Sequence, residues 1–169
     1  MMNLRSKKAF TLVELIVAVA LTAVIIIAAC SVLYLGANTF KSGTTNAFNQ
    51  QKATLVETYL QKYAATASTV NAGDAAKGSG TVFAFQEDGT LKISKQTVSD
   101  SKTTVESIAL IDGIDKIEFS VGNDSLNYTI VSADDTYKLV GGIVMNNYES
   151  GTAEEINRTN GKTLLLGTT

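Results

Sequence analysis

Histidine and proline are absent from the 169 residues, and cysteine occurs once, at Cys30. With no imidazole, and its one thiol inside an apolar run, the chain lacks the parts for common zinc sites, a Ser-His or Cys-His nucleophile pair, or an intrachain disulfide. A carboxylate-pair hydrolase is the catalytic plan left formally open, since Asp and Glu together number 16. The expectation is a protein that is not an enzyme and that uses no cofactor or metal. The lack of proline removes the usual cause of a break or kink in a long helix. An excess of basic charge is missing too. Arg5, Lys7, Lys8 and Glu14 are the charged residues before Lys41, so of 14 basic and 16 acidic residues the part from Lys41 onward keeps 11 and 15. A mildly acidic surface gives no electrostatic footprint for nucleic acid, and no such partner is expected.

What is present is one long apolar run. From Leu15 to Phe40 the sequence LIVAVALTAVIIIAACSVLYLGANTF carries no charge. Glu14 stands at its border, where a charge deep in a membrane span would cost roughly 2.5–3.5 kcal/mol. The leading MMNLRSKKA carries Arg5, Lys7 and Lys8 and no acid. Basic residues beside an apolar run stay on the cytoplasmic side, so the rest of the chain is expected outside the membrane.

Three processing routes compete for this segment. Ala18-Val19-Ala20 has the small-x-small form of a signal-peptidase site, but the apolar run continues about twenty residues further, where a secretory signal ends its own. Ile27-Ala28-Ala29-Cys30 has the aliphatic-small-small-Cys form of a lipoprotein signal. The apolar SVLYLGANTF after it is a poor tether for a lipidated cysteine, and the alternative would be a membrane-anchored or Cys30-lipidated binding domain that does not polymerise. In the third route the cut falls before the helix, between Ala9 and Phe10, and the helix is kept whole.

The third route rests on a resemblance. KKAFTLVELIV resembles the class III leader of type IV pilins and pseudopilins, in which a short basic leader and a small residue precede Phe-Thr-Leu-[Ile/Val]-Glu-Leu and a long apolar helix. The resemblance implies cleavage between Ala9 and Phe10 by a prepilin peptidase and N-methylation of the new Phe10 amine. It implies that Glu14 pairs with the terminal amine of a neighbouring subunit during assembly by the machinery of the inner membrane. A buried carboxylate is tolerable when so paired and costly when it is not; a Glu14 that merely snorkels to the interface is the plainer alternative. Two departures stand out. Ala9 replaces the usual glycine, and Ser31 stands where main-shaft subunits often carry a helix proline, which favours a minor pilin or a pseudopilin.

The helical pattern continues past Phe40. Phe48, Leu55, Tyr59 and Tyr63 recur at steps of seven and four, with Leu60, Ala64 and Ala67 beside them, predicting an apolar stripe on an amphipathic helix. A single helix from about Thr11 to Ala67 is expected, about 85 Å long at roughly 1.5 Å per residue. Residues 68–80 read as a linker loop. Strands are expected at 81–86 and 91–95 around EDGT, at 105–112, 116–121, 126–133 and 137–147, and at 164–167. The D-G pair of EDGT is a hairpin signal. Residues 96–104 and 149–162 read as loops, and Gly141-Gly142 as a bulge. Five to seven strands after one helix give an α+β fold, in which the second half of a long N-terminal helix packs on a mainly antiparallel sheet, as in pilins. The stretch SIALIDGIDKIEFSVGNDSLNYTIV also resembles, at the level of pattern, the sheet region of minor pseudopilins.

These readings divide the chain into a cytoplasmic leader, 1–9, that is removed; a transmembrane or filament-core half-helix, 10–37; an amphipathic half-helix, 38–68; and an extracytoplasmic sheet domain, 69–169. Asp112 with Asp115, and Asp134 with Asp135, invite a calcium reading. Their spacing is not that of an EF-hand loop, and Asp is common in turns for local reasons.

Overall fold

The computed structural model of the chain describes residues 11–73, 78–99, 102–122, 124–152, 155–160 and 162–168. Its architecture is α+β and pilin-like: one long helix, α1 (Leu12–Ala64), is followed among the described residues by ten strands. Two compact units meet between Thr44 and Thr45, and α1 contributes residues to both.

In the first unit the helix is apolar all round. Its most apolar window has a mean hydropathy of 2.9 and none of it is buried by the chain, so α1 is long and apolar enough to cross a membrane. Four hydroxyls in this run are satisfied within the helix. Thr22, Ser31, Thr39 and Thr44 each donate to the carbonyl four residues back, over 2.7–3.0 Å. Such back-bonding spares these four donors an unpaired exposure to lipid. Helix geometry is unbroken through Gly36 and Gly43.

In the second unit the helix buries Asn49, Ala53, Val56, Leu60 and Ala64, at steps of four, three, four and four. The expected stripe is therefore displaced. Phe48 and Leu55 remain exposed, at 56% and 44%, while Tyr59 and Tyr63 are half-buried and stacked, their centroids 6.4 Å apart. The buried face lies one residue round, about 100° away. Its first turns carry Asn49 and Ala53, so the largest apolar side chains do not mark the packing face there.

The strands form two sheets. A six-stranded sheet runs in the order β4 (Lys102–Ile111), β3 (Leu91–Ser99), β2 (Gly80–Phe85), β10 (Thr163–Gly167), β1 (Thr69–Gly73), β8 (Ser150–Thr152). A four-stranded sheet runs β7 (Lys138–Val144), β6 (Ser125–Ser132), β5 (Ile114–Val121), β9 (Ile156–Asn157). Pairing is antiparallel except between β1 and β8. Register aligns the inner residues: Ala109, Ile93, Phe83, Leu164 and Ala72 form one row across the first sheet. In the second sheet Ile156, Ile117 and Ile130 align, as do Phe119 and Tyr128. These residues share one core with Ala53, Val56, Leu60 and Ala64 of the helix.

Three expected loops contain strands. Residues 68–80 hold β1, 149–162 hold β8 and β9, and 96–104 hold the end of β3 and the start of β4. β1 pairs with β10, ninety or more residues away in sequence, which no local pattern announces. From Thr97 to Ser107 the described residues of the β3–β4 ribbon are exposed, so these strands lack the alternation that burial imposes. The last strand is central rather than appended: β10 lies between β2 and β1, and Leu164, Leu165 and Leu166 are all buried. The EDGT turn forms as expected. Gly89 adopts φ +81°, Gly89 N donates to Gln86 O and Thr90 N to Asp88 Oδ1.

Gly141-Gly142 does not form a bulge, because the β6–β7 register runs through it without a shift. Gly141 is needed for another reason. It pairs with Tyr128, whose ring lies across it, so that a Cβ there would run into the Tyr128 hydroxyl. The register shifts fall instead at Ile93/Ser94 and Ile114/Lys116.

Candidate functional site

Of the residues that the sequence marks for function, Glu14 lies within the described structure. Ala9, Phe10, Arg5, Lys7 and Lys8 fall outside the described residues. Glu14 occupies the first turn of α1. Its Oε2 accepts from the Thr11 backbone N–H at 3.0 Å and from the Thr11 hydroxyl at 3.0 Å. In return Glu14 N donates to Thr11 Oγ1 at 3.3 Å. This reciprocal pair is a capping box, with Thr11 as N-cap and Glu14 at the third helical position. It satisfies backbone donors that every helix start leaves open and places negative charge at the positive end of the helix dipole.

The sequence reading overlooked this local role, although the signal was present: Thr-x-x-Glu directly before an apolar run is the capping-box signature. Both Thr11 contacts use Oε2, so Oε1 lies outside the cap geometry. The same carboxylate can therefore hold its own helix start and accept a cation on its second oxygen.

Cys30 is exposed and sits inside α1, which continues unbroken for many turns beyond it. Three of the four aspartates considered for calcium, Asp112, Asp134 and Asp135, are engaged by protein groups. Asp112 forms an ion pair with Lys52 at 2.9 Å, and the ammonium holds its carboxyl below the usual range. Asp134 accepts from the Ser132 and Thr136 hydroxyls, each at 2.7 Å, from Thr136 N and from Asn49 Nδ2. Those hydroxyl donors, with Asn49 adding to them, hold its carboxyl well below the usual carboxylate range. Asp135 takes φ +54° in the same turn, 3.5 Å from Lys138. Among the described residues no three Asp, Glu or Cys side chains gather as a metal cluster.

The outer face of β5, β6 and β7 has a shallow depression of about 220 Å³, lined by Glu118, Ser120, Asn127, Thr129 and Val140 among others. That is smaller than the roughly 300–1,000 Å³ of small-molecule sites. On the inner side, Tyr128 Oη donates to Glu57 Oε1 at 2.6 Å and joins β6 to the helix. Burial, with the Glu57 carboxylate beside it, raises the Tyr128 hydroxyl to about 12.

No curated protein and no solved structure matches the chain. Residues 4–29 match the family model of the prokaryotic N-terminal methylation motif. The match takes in the basic leader, the capping box and the first half of the apolar run, and ends at Ala29 before the sheets begin. Through that segment the chain carries the class III leader signature of type IV pilins.

Proposed function

We propose that this protein is a structural subunit, a minor pilin or a pseudopilin, of a type IV pilus-like filament. A prepilin peptidase cuts between Ala9 and Phe10, and the new Phe10 amine is N-methylated. Until that cut, Arg5, Lys7 and Lys8 hold the amino terminus on the cytoplasmic side, and before assembly the subunit sits in the cytoplasmic membrane with residues 69–169 outside. The inner-membrane assembly machinery then moves it into a filament with other pilin or pseudopilin subunits. Pilus extension, adhesion and motility, DNA uptake and type II-like secretion all use this subunit plan.

The observation that carries this reading is the methylation motif running straight into a helix whose apolar side chains the chain itself leaves uncovered. Lipid covers them in the stored form and neighbouring helices in the filament, and close helix packing in place of lipid contacts supplies most of the assembly free energy. The methylated Phe10 amine stays cationic. Its pairing with Glu14 of a neighbouring subunit fixes register and relieves the cost of burying either charge alone.

The test replaces Glu14 with alanine and counts subunits in sheared filaments against the membrane pool. The account predicts that the variant is cleaved and accumulates in the membrane but drops out of filaments by about tenfold or more, as expected when a buried charge loses its partner. Normal incorporation of Glu14→Ala would show that the pairing role is wrong.

A further inference from the structure

Strand β4 forms one border of the six-stranded sheet, with ten residues and, among the described residues, no strand on its outer side. A long exposed border strand invites another strand, and proteins usually blunt it with a single charge, a proline or a bulge. In this strand a bulge lies at Ile108, which the pairing with β3 skips, and the outer half beyond it reads Lys102-Thr103-Thr104-Val105-Glu106, with all five residues exposed. A lone lysine would repel an added strand. The glutamate four residues on, on the same face, gives the segment a self-complementary pattern.

We propose that β4 is a contact surface for a second copy of this chain, joined antiparallel and centred on Thr104. In that register Lys102 of each copy lies opposite Glu106 of the other, Thr103 opposite Val105, and Thr104 opposite Thr104. Registers centred on Lys102 or on Glu106 instead place like charges opposite each other, which destabilises a strand pair. The inner strand extends the pattern, since Lys95 on β3 is already the cross-strand partner of Glu106. Across the joined ribbons the charges then alternate: Lys102 of one copy, Glu106 of the other, then Lys95 of that second copy. On the opposite face lie Val98 and Val105, exposed at 41% and 52%, and the register brings the two copies' Val105 side chains to diagonal positions. A two-fold contact of this kind closes on two copies, so it bridges a pair laterally and does not propagate a head-to-tail array. The inference stands apart from the processing of the leader.

The test uses the full chain in membranes, with Cys30→Ser as background and single cysteines introduced for disulfide trapping. Thr104→Cys should form a disulfide-linked homodimer under mild oxidation, and Thr97→Cys, one strand further in on the same face, should not. Adding Lys102→Glu to Thr104→Cys sets two acids opposite each other at both ends, and dimer yield should fall about fivefold or more. The combined Lys102→Glu and Glu106→Lys exchange should restore it. Equal trapping at Thr104 and Thr97, trapping that ignores the charge reversal, or a crosslink to a different protein would each overturn the proposal. An uncut leader would overturn the pilin reading and leave this contact standing.

Discussion

Tyr128 and Gly141 face each other across β6 and β7, and each explains the other. The Tyr128 hydroxyl reaches Glu57 on the helix because Gly141 offers no side chain in its way. Gly141→Ala forces the ring to shift and should cost about 1–3 kcal/mol, as overpacking does. Tyr128→Phe keeps the ring but removes the donor from a half-buried carboxylate, and should cost about 1 kcal/mol. Denaturant titration of the full chain in detergent, followed by tyrosine fluorescence, measures both. A Gly141→Ala chain as stable as the parent would show that the ring does not rest there. Asp134 predicts a pH dependence. Its carboxyl is depressed in the folded state by the Ser132 and Thr136 hydroxyls and by Asn49. Stability from these bonds is therefore complete above the ordinary carboxylate range and is lost as the pH falls below it. Replacing Asp134 with asparagine should flatten the acid limb of the stability profile below about pH 4 relative to the parent. Parallel profiles for parent and variant would contradict that assignment.

At the scale of elements, the helix in the second unit separates size from burial. Leu60 is fully buried among both sheets, while Phe48 is the larger side chain and stands exposed. Leu60→Ala should cost about 2–5 kcal/mol, the range for a core cavity. Phe48→Ala should change stability by no more than about 0.5 kcal/mol, as exposed positions do. The same denaturant titration separates them, and a larger loss at Phe48 would restore the stripe read from the sequence.

That contrast also shows what the sequence reveals and what it hides. The long helix, the strands with a buried face and the EDGT turn were legible, because periodicity and turn chemistry are local. The packing face of the helix was not, because Asn49 and Ala53 line it and neither announces burial. The strands of 68–80 and 149–162 escaped because their partners are distant in sequence, and the β3–β4 ribbon because cross-strand bonding rather than burial holds it. At the site, the bonds between Glu14 and Thr11 are written in the Thr-x-x-Glu spacing, a local pattern like the others.

For the whole molecule, two kinds of burial divide the labour. From Thr45 onward the chain covers its own core, with α1 and two sheets enclosing one apolar cluster. From Thr11 to Gly43 every described residue is exposed, and the apolar side chains there need lipid or other helices as their environment. The capping box at Thr11 and Glu14 finishes the start of that helix, and the methylation motif overlaps it. If the leader is removed, the chain begins at Phe10, one residue before the Thr11 cap, and the Glu14 carboxylate keeps a second oxygen to offer a cation. The most direct measurement is the intact mass of the mature chain purified from membranes and from filaments. The account predicts a chain that begins at Phe10 and carries one methyl group on its terminal amine. A chain that still begins at its leader, or one that begins at a lipid-modified Cys30, would contradict it.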